Sequence, residues 1–151
     1  MTQGNETTPE SPEAIFARAA GRAQQMNLPY AGAVTPAEAY DLARASAAKI
    51  VDVRTEPEYN QVGHVTGTPL VVWPRDAGQA QLQAFVDGVA DQFDPEEPLL
   101  FLCRSGARSH SAAAVLTQVG FKRAYNILEG FEGGQPGKGW RNAGLPWTTK
   151  G

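Results

Sequence analysis

Cys103 is the only cysteine among 151 residues, and it opens the stretch Cys103-Arg104-Ser105-Gly106-Ala107-Arg108-Ser109. A thiol followed by two guanidiniums, two hydroxyls and a glycine suits a nucleophile held in an anion site. Sulfur attacks as the thiolate, so whatever favours negative charge there favours reaction. Arg104 and Arg108 do so through their own charge, and their planar donors suit sulfonate-like oxygens. Gly106 permits a tight curl in which backbone N–H groups turn inward as a concave nest for anions. Ser105 and Ser109 offer hydroxyl donors and a helix cap. Neither reads as a nucleophile, because His110 beside them has no Asp partner in view.

The elements around this stretch must hold it in place. Before it, Leu99 to Leu102 is a short apolar run, the pattern of a strand buried on both faces. After it, Ala112, Val115, Leu116 and Val119 fall at i, i+3, i+4 and i+7, which predicts an amphipathic helix. The loop from Cys103 to Arg108 therefore lies between a strand's C-terminal end and a helix N-terminus. The helix end favours anions, and open α/β sheets take their ligands at that edge.

Elsewhere, Ser11-Pro12-Glu13 opens a helix with Phe16, Ala19, Ala20 and Ala23 on one face, ending near Asn27. Thr35-Pro36-Ala37-Glu38 is a capping box that opens a second helix, to about Ser46. Lys49 to Val53 reads as a buried strand, Glu56 to Asn60 as a helical turn, and Val65 and Leu70 to Trp73 as short strand pieces. Ala80 to Phe93 is a helix with Leu82, Phe85, Val86, Val89 and Phe93 on its stripe. Gly120 suits a helix C′ position, Ala124 to Ile127 a last strand, residues 133–139 a mobile loop, and Trp140 to Trp147 a segment that packs back. Strands alternating with helices predict an α/β fold with a mostly parallel sheet.

The loop Cys103-Arg104-Ser105-Gly106-Ala107-Arg108-Ser109 resembles the active-site loop of single-domain rhodaneses, which are sulfurtransferases. Asp52-Val53-Arg54-Thr55-Glu56-Pro57-Glu58-Tyr59 and Gly63-His64-Val65-Thr66-Gly67-Thr68 are similar to a second signature of that family. Ile127-Leu128-Glu129-Gly130, Trp140 and Gly144-Leu145-Pro146 resemble its C-terminal end. The blocks follow the family's order over roughly Val34 to Trp147. The resemblance implies a rhodanese-like domain over residues 34–151, with a central sheet covered by helices on both faces. Residues 1–33 are then a polar tail plus an added helix, packed on the domain or contacting a partner.

The resemblance also implies the chemistry. A small anionic donor, thiosulfate or a persulfide, would load sulfur onto Cys103, and a thiol or cyanide acceptor would remove it, with no cofactor. Arg104, Ser105, Gly106, Ala107, Arg108 and Ser109 would bind the donor. Asp52 and Arg54, alternate residues at a strand end, read as an ion pair holding loops, and His64 as a buried hydrogen-bonding residue. Trp73 suits a pocket wall and core packing equally. Two departures from the family pattern bear on the acceptor surface: Glu129-Gly130-Phe131 stands where a Gly-Gly pair is common, and the loop before Trp140 is long.

Composition bounds the alternatives. Forty-two per cent hydrophobic and 19% charged residues fit one globular domain. The apolar runs are far shorter than the about 20 residues that span a bilayer, and the acidic N-terminus lacks a secretory pattern, so a cytoplasmic protein with no membrane partner is expected. Net charge is −3, divided as −8 before Cys103 and +5 from Cys103 onward, which suits a small anionic substrate. An acidic total with no basic run argues against nucleic acid. One cysteine forms no internal disulfide and leaves no resolving partner, and no His–carboxylate cluster has metal-ligand spacing, so no metal is expected. Two other functions share the cysteine loop. A phosphatase or arsenate reductase would need Cys-x5-Arg, where this chain has Cys-x4-Arg; a non-catalytic rhodanese-like module would not need the cysteine.

Overall fold

Leu99, Leu100, Phe101 and Leu102 are all fully buried because their strand lies inside a sheet covered on both faces. The computed structural model describes residues 10–76, 78–134 and 137–150. The strands are β1 (Gly32–Val34), β2 (Lys49–Asp52), β3 (Leu99–Leu102) and β4 (Ala124–Ile127), in the spatial order β1-β4-β3-β2. All three pairings are parallel, with Asp52 opposite Leu102 and Phe101 opposite Asn126. Alternate side chains of β3 serve two cores. Leu99, Phe101 and Cys103 pack with α3 (Gln79–Ala90) and α4 (Ala107–Gln118) through Phe85, Val89, Ala112 and Leu116. Leu100 and Leu102 pack with α1 (Pro12–Met26), α2 (Pro36–Arg44) and α5 (Gly139–Asn142) through Ile15, Leu42 and Trp140. The fold is α/β, with a four-stranded parallel sheet.

Several local expectations match the structure. Ser11 accepts from the Ala14 N–H at 3.2 Å, and Asn27 closes α1 at φ 54°. The Thr35–Glu38 capping box is formed in both directions. Leu70 to Trp73 is not a full strand, but the Val71 and Trp73 N–H groups bond to the carbonyls of Asp52 and Val53 at 2.9 and 3.0 Å, along the outer edge of β2. The helical turn after Pro57 is a single π turn, Glu58–Val62. β1 was not anticipated; it crosses the boundary between residues 33 and 34, and α1 buries Ile15 and Ala19 beside it. Most of the polar tail, residues 1–9, lies outside the described residues.

The stripe expected on α4 is corrected. Its buried residues are Ser109, Ala112, Ala113 and Leu116, while Val119 is 54% exposed. Ala112 and Leu116 of that stripe are buried; Ser109 takes the core-facing position one turn earlier, where its hydroxyl meets the cysteine sulfur, and Val119 is the C-cap beyond the last helical residue, Gln118.

Arg18 and Arg22 of α1 both reach Glu38 in the first turn of α2, each at 2.7 Å. Despite burial, these guanidiniums and the Thr35 N–H hold the Glu38 carboxyl down at about 2. The stability it contributes is therefore full above pH about 4.5 and lost as the pH falls towards 2. Glu38→Gln should lower Tm at pH 7 by a few degrees, and the gap to wild type should close on acidification. A gap independent of pH would contradict this assignment.

Candidate active site

Cys103 follows the last residue of β3 and is 1% exposed. Its Sγ accepts a hydrogen bond from the Gly106 N–H at 3.0 Å. Gly106, at φ 110°, is the N-cap of α4, a backbone position that side chains rarely adopt. The helix begins at Ala107, so Arg108 and Ser109 lie in its first turn rather than in the loop. The expected serine cap is corrected as well: no side chain caps α4, Ser105 is exposed, and Ser109 is buried within the helix.

The loop's carbonyls and amides point to different places. The carbonyls of Cys103 and Arg104 accept from the Phe131 and Glu132 N–H groups at 2.8 and 2.9 Å. Among the described residues, the N–H groups of Arg104, Ser105, Ala107 and Arg108 find no acceptor in the protein. A row of unaccepted donors at a helix N-terminus is an anion cradle. Gly130 allows the close approach that turns the carbonyls outward. It sits at φ 64°, and a Cβ there would lie 2.5 Å from the carbonyl carbon and oxygen of Arg104.

Ser109 and Asn126 complete the sulfur's surroundings. Ser109 is fully buried, with Oγ 3.2 Å from Cys103 Sγ, and its hydroxyl donates to Asn126 Oδ1 at 2.5 Å. Asn126 Nδ2 donates to the Gly106 carbonyl at 3.3 Å. The sequence reading missed Asn126, although an amide inside the buried strand Ala124-Tyr125-Asn126-Ile127 is a signal that could have found it, because a buried amide needs partners. His110 faces elsewhere: its Nδ1 is 2.7 Å from the Tyr30 hydroxyl.

The two arginines differ. Arg108 lies bidentate on Glu58 at 2.7 and 2.8 Å. Arg108 and the Thr55 N–H and hydroxyl hold the Glu58 carboxyl at about 2, against a smaller cost of burial. The picture of Arg108 as a free clamp for donor oxygens is therefore corrected: its fork is already occupied by a carboxylate 50 positions away. Arg104 is 64% exposed, with Glu132 3.5 Å away.

Asp52 and Arg54 make no hydrogen bond to the sulfur. Both are fully buried, and Arg54 Nε and Nη2 donate to Asp52 at 2.9 and 2.7 Å. Arg54 Nη2 also donates to the Gly63 carbonyl, and the guanidinium lies 4.5 Å from the Phe131 ring. The pair thus supports the segment whose amides hold the cysteine loop. His64 is buried, stacked 3.7 Å from Tyr59, with Nδ1 2.7 Å from the Tyr59 carbonyl.

Two cavities flank the loop. Thr55, Trp73, Pro74, Arg75 and Arg108 line one of about 340 Å³. Trp73 both walls it and packs edge-on against Phe85 at 5.0 Å. Ser105, Gly106, Asn126, Leu128, Glu129 and Gly134 line much of the other, of about 400 Å³, so one end of the 133–139 loop borders the site; residues 135–136 lie outside the described residues. Glu129, in the Glu129-Gly130-Phe131 stretch, adopts φ 70° and its Oε1 accepts from the Gly139 N–H at 3.0 Å. Among the described residues, no helix is long and apolar enough to cross a membrane, and no three His, Cys, Asp or Glu side chains gather where a metal ion could be held.

Comparison with known proteins adds family context. The model of the rhodanese-like domain matches residues 35–135. An uncharacterized protein of Rickettsia conorii is 39% identical over 114 residues, covering 73% of this chain and 91% of the relative. A thiosulfate sulfurtransferase, GlpE, of Actinobacillus pleuropneumoniae is 28% identical over 116 residues, covering 77% and 92%. Among solved structures, Rv0390 from M. tuberculosis is 37% identical with a TM-score of 0.67, covering 80% of this chain and 99% of that one.

Proposed function

This chain belongs to the rhodanese-like family, and from that premise we propose that it is a sulfurtransferase carrying sulfane sulfur as a persulfide on Cys103. The observation that carries the proposal is the sulfur's position at the head of the cradle, with the Gly106 N–H on Sγ and neighbouring amides free to receive an anion. The Cys103 thiolate attacks the outer sulfur of thiosulfate. The new bond joins Sγ to that sulfur, the old S–S bond breaks, and its electron pair leaves with sulfite. One negative charge remains on the terminal persulfide sulfur, where the amides stabilise it. Cyanide or a thiolate then takes that sulfur and returns Sγ to the thiolate. Similarity to a thiosulfate sulfurtransferase supports the donor class.

Loop size argues against the phosphatase alternative. The spacing Cys103-x4-Arg108 is one residue shorter than the Cys-x5-Arg of those enzymes, which favours a single reacting sulfur over a tetrahedral oxyanion. The test is thiocyanate formation from thiosulfate and cyanide, run beside hydrolysis of an aryl phosphate. Thiocyanate without phosphate release is expected; phosphate release without thiocyanate would overturn the reading.

With Arg108 held by Glu58, the exposed Arg104 is the loop cation able to reach donor oxygens. A hydrogen bond to a charged group contributes roughly 1.5–3 kcal/mol. Arg104→Ala should therefore lower kcat/KM for thiosulfate by about tenfold or more and slow discharge of a preformed persulfide less. Rapid-quench measurement of both half-reactions checks this; equal damage to each would contradict it.

A further inference from the structure

Ser109 carries one hydroxyl hydrogen and has two neighbours able to take it, Cys103 Sγ at 3.2 Å and Asn126 Oδ1 at 2.5 Å. Asn126 cannot turn its amide round freely. The Gly106 carbonyl only accepts, so Nδ2 must face it, and Oδ1 must face Ser109. When Cys103 is a thiol, Ser109 donates to Asn126 and Sγ–H can donate to Ser109. A thiolate Sγ can only accept, and rotation of the Ser109 hydroxyl about Cβ–Oγ can turn its hydrogen from Asn126 onto it. When Sγ carries a persulfide, the charge moves to the outer sulfur and the hydrogen returns to Asn126.

We propose that Ser109 and Asn126 form a hydroxyl switch in which Ser109 donates to Sγ only while that sulfur carries charge. Gly106 donates to Sγ from fixed backbone; Ser109 is the donor that moves. The assignment rests on the sulfur transfer proposed above. In that reaction the switch matters most during discharge. The acceptor attacks the outer sulfur, the Sγ–S bond breaks, and its electron pair settles on Sγ as the Ser109 O–H turns to meet it. Ser109 touches the reacting atom, whereas Asn126 is a positioning residue that acts through Ser109.

The charged or titratable groups on the surrounding elements have partners of their own. Arg104 is with Glu132, Arg108 with Glu58, Asp52 with Arg54, and Glu129 with the Gly139 N–H, while the Tyr30 hydroxyl, paired with His110, also takes a hydrogen bond from Asn126. Asp87 on α3 is exposed and accepts from Gln83.

Two substitutions should act in opposite directions. Ser109→Ala removes the mobile donor. Its alkylation by iodoacetamide should show a pH midpoint about one unit higher, and discharge of its persulfide to cyanide should slow roughly ten- to a hundredfold. It should still gain one sulfur from thiosulfate. Asn126→Ala removes the competing acceptor and leaves the hydroxyl to Sγ, so its alkylation midpoint should fall. Ser109→Thr, which keeps the hydroxyl, should restore the midpoint towards wild type. Midpoints that shift the same way in both alanine variants, or in neither, would overturn the switch. If Ser109→Ala does not fold, Asn126→Ala decides alone: a lower midpoint supports the switch, and an equal or higher one overturns it. A wild-type protein that takes no sulfur would instead sink the sulfurtransferase reading, while the alkylation midpoints would still test the hydrogen bond.

Discussion

Gly130→Ala is expected to lower sulfur transfer by at least a hundredfold and Tm by several degrees. The added Cβ would lie 2.5 Å from the carbonyl carbon and oxygen of Arg104 and 2.6 Å from the Cys103 oxygen. These are backbone atoms, so no side chain can swing aside. Relief requires the 129–132 segment and the cysteine loop to separate, which breaks the bonds from the Phe131 and Glu132 amides to the Cys103 and Arg104 carbonyls. Once those carbonyls are free to rotate, the inward direction of the loop amides is lost, and with it the anion cradle. The φ of 64° adds strain for any residue with a Cβ. Thiocyanate turnover and a thermal melt on the same sample check the prediction. Near-normal turnover in a folded variant would mean that the loop does not depend on this contact.

Asp52→Ala is expected to cost roughly 3–5 kcal/mol of folding stability, because it strands the fully buried Arg54 guanidinium without its carboxylate. The Gly63 carbonyl and the Phe131 ring remain, but neither supplies a compensating charge. Replacing both partners, as Asp52→Ala with Arg54→Met, should recover much of the loss, since an apolar pair carries no desolvation penalty. Urea unfolding at pH 7 reads both. A cost below about 1 kcal/mol for Asp52→Ala would contradict the picture of this pair as the support behind Phe131.

Much of the scaffold was legible because burial on both faces leaves a plain apolar mark. Ile50-Val51, Leu99 to Leu102 and most of Ala124 to Ile127 are short apolar runs, and each lies in a strand. Capping chemistry marked the starts of α1 and α2 equally well, since Ser11 and Thr35 use their own side chains. β1 left no mark: Gly32-Ala33-Val34 is too short to carry a period, and its strand character comes from pairing with β4 far along the chain. On α4 the pattern marks Ala112 and Leu116, which are buried, but Val119 outweighs Ser109 in any hydrophobic pattern, whereas the buried side holds the serine that meets Cys103.

The site divides along the same line. Cys103, Gly106 and the helix behind them were visible because they are neighbours in sequence. Glu58 and Asn126 are 50 and 17 positions from the residues they engage, and nothing local to Arg108 or Ser109 points to them. Gly130 lay within a recognised block, yet its reason for being glycine is a contact with Arg104 that only the fold creates.

Intact-mass measurement after incubation with thiosulfate and removal of excess reagent reads persulfide formation on Cys103 itself. The wild-type protein is expected to gain the mass of one sulfur atom, cyanide to remove it as thiocyanate, and Cys103→Ser to gain nothing. A protein that gains no mass, or a Cys103→Ser variant that gains as much as wild type, would contradict persulfide transfer through this cysteine.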